Sequence, residues 1–223
     1  MAFKTVKFRI ILIFSGFCLL AGFFFLRPDS HILNDRQLMA AKNLSNRQIV
    51  DTAVSLLRTG NVVLRMGLGA DSYLLSQLNR KNKAYSHCGI VIVENGYPFV
   101  YHSIGGEDNP DARMRRDSAA FFFSPCHNSA LAIVDYDFKG PQISNLVQEV
   151  YAFYQKKPLF DMKFDLQTDD QLYCAEFVYK AIDRAVNDNS YIGTTTYAGH
   201  TYVGIDNIFI NSHARIVWQN RFE

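Results

Sequence analysis

The stretch His87–His102, HCGIVIVENGYPFVYH, consists of two apolar runs separated by Asn95-Gly96. Both positions of an Asn-Gly pair readily take positive φ, and this dipeptide between apolar runs is the strongest short-range signal of a β-hairpin. A two-residue loop at this dipeptide places Gly89 opposite His102. The sequence therefore predicts two antiparallel strands that carry one histidine near each outer end.

The predicted hairpin places both histidines on one face. Side chains alternate along a strand, so His87 and Gly89 point to the same side as His102. His87 and His102 are then diagonal neighbours with Cα atoms about 7–8 Å apart, and Gly89 leaves room for the two rings to meet. Such a pair can supply a general base and its orienting group to a nucleophilic cysteine.

A cysteine helix is predicted in DDQLYCAEFVYKA, Asp169–Ala181. Asp169 and Asp170 are candidates for the helix cap and the first-turn acids, which would place Cys174 in the first turn. The positive end of the helix lowers the pKa of a thiol there. Glu176 lies roughly 200° around the helix from Cys174, so it is not expected to activate the cysteine. The inward face comprises Cys174, Val178, Ala181, Ile182 and Ala185.

Each of these residues also has a structural interpretation. A lone buried cysteine is usually a small core side chain, and a histidine at a strand end is usually a surface or structural residue. The chain has six histidines, and those outside the hairpin fall mostly in loops or near strand ends. His200 is the one among them that we consider for a substrate cleft, because its loop is rich in glycine and tyrosine.

The N-terminal segment predicts a membrane anchor. Lys4, Lys7 and Arg9 precede Ile10–Leu26, an uninterrupted run of 17 residues, and Arg27 ends it. This length is at the lower end of what spans a bilayer. An uncleaved signal anchor is favoured over a removed signal peptide, and the charge distribution places the rest of the chain on the periplasmic or extracellular side.

Composition limits the remaining classes of function. The 223 residues are 48% hydrophobic and have a formal net charge of +2, which supplies a packed core and does not favour a nucleic-acid partner. The basic run Arg113–Arg116 is predicted to be a solvated loop. Four cysteines are present, one of them inside the apolar run. None has C-x-x-C spacing, so we expect no metal or other cofactor, and at most one disulfide among Cys88, Cys126 and Cys174.

The remaining pattern predicts a small α+β domain. Residues 66–75 and 189–207 are expected to be irregular. Helices are predicted over 34–58 and 142–154, and further strands over 61–65, 130–135 and 214–218.

Two segments resemble a known family. AYSHCGIVIVENGYPFVYHSIGG, residues 84–106, resembles the histidine strands of the YiiX-type permuted papain-like amidases of the NlpC-like superfamily. KKPLFDMKFDLQTDDQLYCAEFVYKA, residues 156–181, resembles their K-P-[aromatic]-D step and Y-C-[small]-E cysteine helix. The similarity covers roughly Gly60 to Ala185. Two positions depart from the family pattern: Asn61 replaces the usual aspartate, and His102 stands where glutamate is common.

The resemblance implies a circularly permuted papain-like fold, an antiparallel sheet packed against helices behind an N-terminal transmembrane helix. Residues 1–33 would be the anchor and linker, and residues 34–223 the catalytic domain. By motif, Cys174 is the nucleophile, His87 the general base, His102 the orienting group, and Tyr173 a substrate-binding residue. The implied function is a membrane-anchored thiol hydrolase that cleaves an amide bond, in a cell-wall peptide or a small N-acyl compound, through a thioester.

More distantly, the chain resembles the lecithin:retinol acyltransferase-like proteins. They share the order histidine, histidine, cysteine, and their N-C-E-H-F-V is similar to YCAEFV at residues 173–178. The chain lacks the asparagine before the cysteine. This resemblance leaves a lipid-directed acyltransferase or esterase as an alternative, and the departures at Asn61 and His102 leave an inactive binding domain as another.

Overall fold

A computed structural model describes residues 30–105 and 112–222. Within them, the helices are α1 (Ser30–Leu56), α2 (Ala70–Ser76), α3 (Ala119–Phe122), α4 (Gln142–Lys156), α5 (Cys174–Val186) and α6 (Ile205–Phe209). The strands are β1 (Val62–Gly67), β2 (His87–Glu94), β3 (Tyr97–His102), β4 (Arg115–Ser118), β5 (Asn128–Tyr136), β6 (Thr195–Tyr197), β7 (His200–Tyr202) and β8 (Ala214–Arg221).

The chain divides into two compact units, Met1–Ser45 and Asn46–Glu223. Of the first unit, the structure describes residues 30–45, which are helical. The predicted anchor Ile10–Leu26 lies outside the described residues. Among the described residues, no helix combines the length and the apolar character needed to cross a bilayer.

The second unit is built on a six-stranded antiparallel sheet with the order β4-β3-β2-β1-β5-β8. The hairpin β2-β3 has the predicted register, with Ile90 opposite Tyr101 and Glu94 opposite Tyr97. Asn95 and Gly96 form its turn with φ of 50° and 84°, as a type I′ turn requires. The predicted α+β class and antiparallel sheet are therefore confirmed.

Helices cover both faces of this sheet, because its central strands carry apolar side chains on both sides. Helices α4 and α5 contribute to one core cluster, which contains Leu64, Cys88, Ile90, Leu146, Cys174 and Phe177. The C-terminal part of α1 and helix α3 contribute to the other, which contains Val50, Ala53, Val91, Val100, Phe122 and Ile133.

Three local predictions were wrong. Residues 66–75 were expected to be irregular and outside the core. They contain most of α2, so they are not irregular, but this helix is largely exposed and lies outside the core as expected. Residues 189–207 contain the hairpin β6-β7 and the start of α6. The basic run Arg113–Arg116 is not a solvated loop. Its last two residues open the edge strand β4, where Arg116 forms an ion pair with Glu94.

Candidate active site

The two histidines of the hairpin are in direct contact. His87 Nε2 lies 2.9 Å from His102 Nδ1 at buried positions. The contact depends on Gly89, because a Cβ at that position would lie 2.8 Å from the Tyr101 carbonyl oxygen and 3.0 Å from the His102 Cβ. The structure therefore contains the predicted contact between the two rings across a glycine.

Asp117 on β4 extends this pair. His102 Nε2 lies 3.0 Å from Asp117 Oδ2, and the same oxygen lies 2.9 Å from Arg115. Asp117 is absent from the site predicted above, because the neighbouring arginines are typical of a charged loop. The signal that could have found it is a strand register: with Val100 opposite Asp117, the carboxylate lies within reach of His102 from the next strand.

The charge of Asp117 determines the proton positions in the chain of rings. Partial burial raises the pKa of Asp117, but hydrogen bonds and charges from His102 and Arg115 outweigh it and leave the pKa below its usual value. An ionised carboxylate only accepts, so His102 Nε2 carries the proton and its Nδ1 accepts from His87 Nε2. The neutral His87 ring then has its lone pair on Nδ1, which is the nitrogen available as a base.

Both rings are held in the neutral form. Burial is the main cause that lowers the pKa of His102 to about 4, and Asp117 offsets only part of it. Burial also lowers the pKa of His87 well below its usual value, and the positive charge of Arg65 adds to this. Arg65 lies near both histidine rings. Its guanidinium is 4.7 Å from the centre of the Phe122 ring, and both histidine rings pack against Phe122.

Cys174 is the first residue of α5, with Tyr173 as N-cap. The predicted start at Asp169-Asp170 was wrong, because the cap is closed instead by Glu176, whose carboxylate accepts from the Tyr173 backbone N–H at 3.2 Å. Asp169 instead forms ion pairs with Lys180 and Arg184, which lie further along the helix. Glu176 thus fixes the helix start, as a capping-box residue does.

The environment of Cys174 favours the thiolate. The side chain is only 8% exposed. Its pKa is lowered mainly by a hydrogen bond from the Cys88 thiol, and, against the effect of burial, by the backbone N–H groups of Cys88, Ala175 and Cys174 itself. Burial and the same contact raise the pKa of Cys88, so Cys88 stays a protonated donor. Cys88, Cys126 and Cys174 are all free thiols.

The structure places Cys174 at the same end of the hairpin as the histidines but against the other face of the sheet. Cys174 lies against Cys88, the residue that follows His87, in one core cluster, whereas both histidine rings pack on Phe122 of the other cluster. Ser103, which follows His102, donates its hydroxyl to the Leu172 carbonyl at 2.5 Å. Within the described residues, however, no hydrogen bond joins Cys174 to either histidine. The histidines are paired with each other, and the cysteine is paired with Cys88.

Tyr173, predicted as a substrate-binding residue, lines the cleft with its hydroxyl engaged as an acceptor. It is 3% exposed, and its hydroxyl oxygen accepts from the Val203 N–H at 2.8 Å. Its ring packs against Phe164, with 5.2 Å between ring centres. Tyr173 therefore holds the wall of the cleft in place.

The cleft at Cys174 is narrow. Its volume of about 20 Å³ holds little more than one water molecule. Leu78 and Phe164 line both this cleft and a neighbouring cavity of about 350 Å³. His200, considered from the sequence as a cleft residue, lines that larger cavity.

Asn61, the other departure from the family pattern, has a structural position. Its side chain accepts from the Arg58 N–H at 2.7 Å and donates to Asp135 at 2.8 Å. It lies before the start of β1, whereas Arg65, further along that strand, is the residue opposite His87. Among the described residues, no group of three or more histidine, cysteine or acidic side chains is placed to hold a metal ion.

Comparison with known proteins identifies the fold. The chain is similar to the crystal structure of the metalloprotein YiiX from Escherichia coli O157:H7, with a TM-score of 0.60 and 17% sequence identity over 74% of this chain and 98% of YiiX. No family model matches, and no curated protein sequence matches significantly. At this identity the likeness concerns the fold alone. The resemblance to YiiX predicted from the two motif segments is thus confirmed as a shared YiiX-type fold.

Proposed function

We propose that this chain is a thiol hydrolase of the permuted papain-like type, with Cys174 as nucleophile, His87 as general base, and His102 and Asp117 as orienting groups. The observations that carry the proposal are the ordered chain His87–His102–Asp117 and, near the same end of the hairpin, a cysteine at a helix N-terminus. A nucleophile, a base and a group that orients the base are the parts that covalent acyl transfer needs.

The geometry supports the following steps. His87 Nδ1 takes the proton of the Cys174 thiol, and the thiolate attacks a carbonyl carbon. The negative charge that develops on the carbonyl oxygen is stabilised by backbone N–H groups at the start of α5, with that of Cys174 foremost. The His87 imidazolium then protonates the leaving amine, which departs to leave a thioester. Water hydrolyses the thioester and regenerates the thiol.

The first step needs a contact that the structure does not contain. Cys174 and His87 lie at one end of the hairpin but face opposite sides of the sheet, so this contact requires a local rearrangement and not only the shortening of a long hydrogen bond. We propose that substrate displaces the Cys174 thiol from its contact with Cys88 and brings it to His87 Nδ1. In an inactive binding domain, the contact between Cys174 and His87 would be absent with and without substrate.

An amide is the first choice of substrate, in a cell-wall peptide or a small N-acyl compound. This choice follows from the resemblance of residues 84–106 and 156–181 to the YiiX-type amidases. Because the apolar run Ile10–Leu26 follows positive charges, we also propose that the protein is attached to the cell membrane, with the domain on the periplasmic or extracellular side. A lipid ester is the alternative substrate that the assay must include.

The similarity to a metalloprotein raises the question of a metal here. The described residues do not fit one, because they include no group of three or more suitable ligands. The proposed steps therefore involve this chain's own side chains and backbone.

The test is turnover by the purified full-length protein. Cell-wall peptides and phospholipid vesicles are incubated separately with the parent and with Cys174→Ala, and products are quantified by mass spectrometry. We expect new amine termini from the peptides with the parent alone, and a mass increase on the Cys174 peptide after rapid acid quenching. Equal product formation by parent and variant would contradict the proposal. If the parent forms product only from the phospholipid vesicles, the substrate is a lipid ester and not an amide.

A further inference from the structure

The larger cavity adjoins the cleft at Cys174, because Leu78 and Phe164 line both. Its volume of about 350 Å³ lies within the range of small-ligand sites. A molecule that occupies the larger cavity and passes these two residues would bring its carbonyl carbon toward Cys174. What lines that cavity determines which substrates fit.

The walls of the cavity are tied to one another by hydrogen bonds. His200 Nε2 lies 2.8 Å from the Phe164 carbonyl oxygen, which accepts from it. The Tyr202 hydroxyl donates to the Leu78 carbonyl at 2.7 Å. These bonds connect the hairpin β6-β7 to the segments that border the Cys174 cleft, so the cavity has a defined shape before any ligand enters.

A positive charge stands in a wall of mostly aromatic and apolar side chains. The Arg80 guanidinium lies 4.1 Å from the centre of the Tyr197 ring, and the Arg80 backbone N–H donates to Asp206 at 2.8 Å. Among the described residues, no carboxylate lies within ion-pair distance of the Arg80 guanidinium. A guanidinium held over an aromatic face keeps the N–H donors along its edge for a planar anion.

We propose that this cavity binds a carboxylate-bearing aromatic or apolar part of the substrate, with Arg80 as the residue that selects for the negative charge. The aromatic side chains Tyr197 and Tyr202 contact the apolar part, and the guanidinium edge pairs with the carboxylate. This inference rests on the proposed function, since it concerns the compound whose carbonyl group reaches Cys174. It narrows the substrate class to acidic acyl compounds, such as peptides with a free carboxylate near the scissile bond.

The experiment compares two alkylating probes that differ only in charge, 4-(bromoacetamido)benzoate and 4-(bromoacetamido)benzamide. The rate of Cys174 alkylation is measured by peptide mass spectrometry in the full-length protein. We expect the benzoate to react roughly fivefold faster than the benzamide in the parent, as one partly exposed ion pair allows. The preference should decrease at high salt, which screens such a pair.

Three variants isolate the role of Arg80. In Arg80→Gln, the two probes should react at equal rates. In Arg80→Lys, which keeps the charge and loses the fork, the preference should be intermediate. In Lys81→Gln, which removes the neighbouring exposed charge, it should be that of the parent. Equal rates of the two probes in the parent, or an unchanged preference in Arg80→Gln, would overturn the inference.

Iodoacetamide separates this result from that for the proposed function. It is small and neutral, so its rate reports the reactivity of Cys174 without using the cavity. An ordinary thiol reactivity toward iodoacetamide would count against the catalytic proposal, while the ratio of the two benzoyl probes would still report the charge preference. Equal iodoacetamide rates in the parent and in Arg80→Gln show that the variant is folded around Cys174.

Discussion

Asp117 Oδ2 lies 3.0 Å from His102 Nε2, on the side of the His102 ring opposite the contact with His87. The carboxylate is on an edge strand, and its second partner is Arg115. The ionised carboxylate accepts a hydrogen bond from His102 and thereby determines which nitrogen of each histidine ring carries a proton.

Replacement of Asp117 by Asn should change which nitrogens of the two histidine rings carry protons. The amide can donate its own N–H to His102 Nε2, which favours the opposite tautomer and removes the lone pair from His87 Nδ1. We expect Cys174-dependent turnover to fall about 10²-fold, within the range of a general-base contribution. Nitrogen-15 NMR of the histidine rings should show the change of tautomer directly. Asp51→Asn, at an exposed position on α1, is the control, and an unchanged histidine spectrum in Asp117→Asn would contradict the proposed proton positions.

Replacement of Gly89 by Ala should destabilise the hairpin. The new Cβ would lie 2.6 Å from Val100 Cγ1 and 2.8 Å from the Tyr101 carbonyl oxygen, so strand backbone must shift. Overpacking of this kind costs about 1–3 kcal/mol of the free energy of unfolding, measured by urea denaturation. Gly193→Ala is the matched control, since a Cβ added there would meet nothing within 4 Å. Equal stability of the two variants would show that the approach of His102 does not depend on Gly89.

His102 should make the folded state sensitive to acid. Its pKa is about 4 in the folded protein and about 6.5 in an unfolded chain. Between these values the unfolded state binds more protons, so the contribution of neutral His102 is fully present above pH 6.5 and is lost as the pH falls toward 4. The slope for one group is at most about 1.4 kcal/mol per pH unit.

The variant His102→Gln isolates this contribution. Glu176 and Asp183, whose pKa values are raised to about 7 chiefly by burial, act in the opposite direction over much of this range. They are present in both proteins and cancel in the difference. We expect the free energy of unfolding of the variant to decrease less steeply than that of the parent between pH 6.5 and 4. Parallel curves would contradict the assignment of a depressed pKa to His102.

The hairpin and its two histidines were predictable because their signals are local. Asn95-Gly96 fixes the turn, the turn fixes the register, and the alternation of a strand then fixes the face on which His87 and His102 lie. Cys174 was placed in the first turn of its helix for a similar reason, although the start of that helix was predicted several residues too early.

The features that could not be predicted depend on contacts between distant segments. Asp117 reaches His102 only through the pairing of an edge strand, and nothing in Arg113–Asp117 marks it as a strand rather than a charged loop. The contact between Cys88 and Cys174 depends on how α5 packs on β2. The cavity at Arg80 is likewise formed by segments that are far apart in the chain.

The central claim is that Cys174 is an activated thiol, and its rate of alkylation by iodoacetamide as a function of pH tests this most directly. The rate is followed at the Cys174 peptide in the full-length protein, with exposed Cys126 as an internal reference. We expect a midpoint for Cys174 clearly below the value of about 8.5 for an ordinary thiol. A midpoint for Cys174 at or above about 8.5 would contradict the claim.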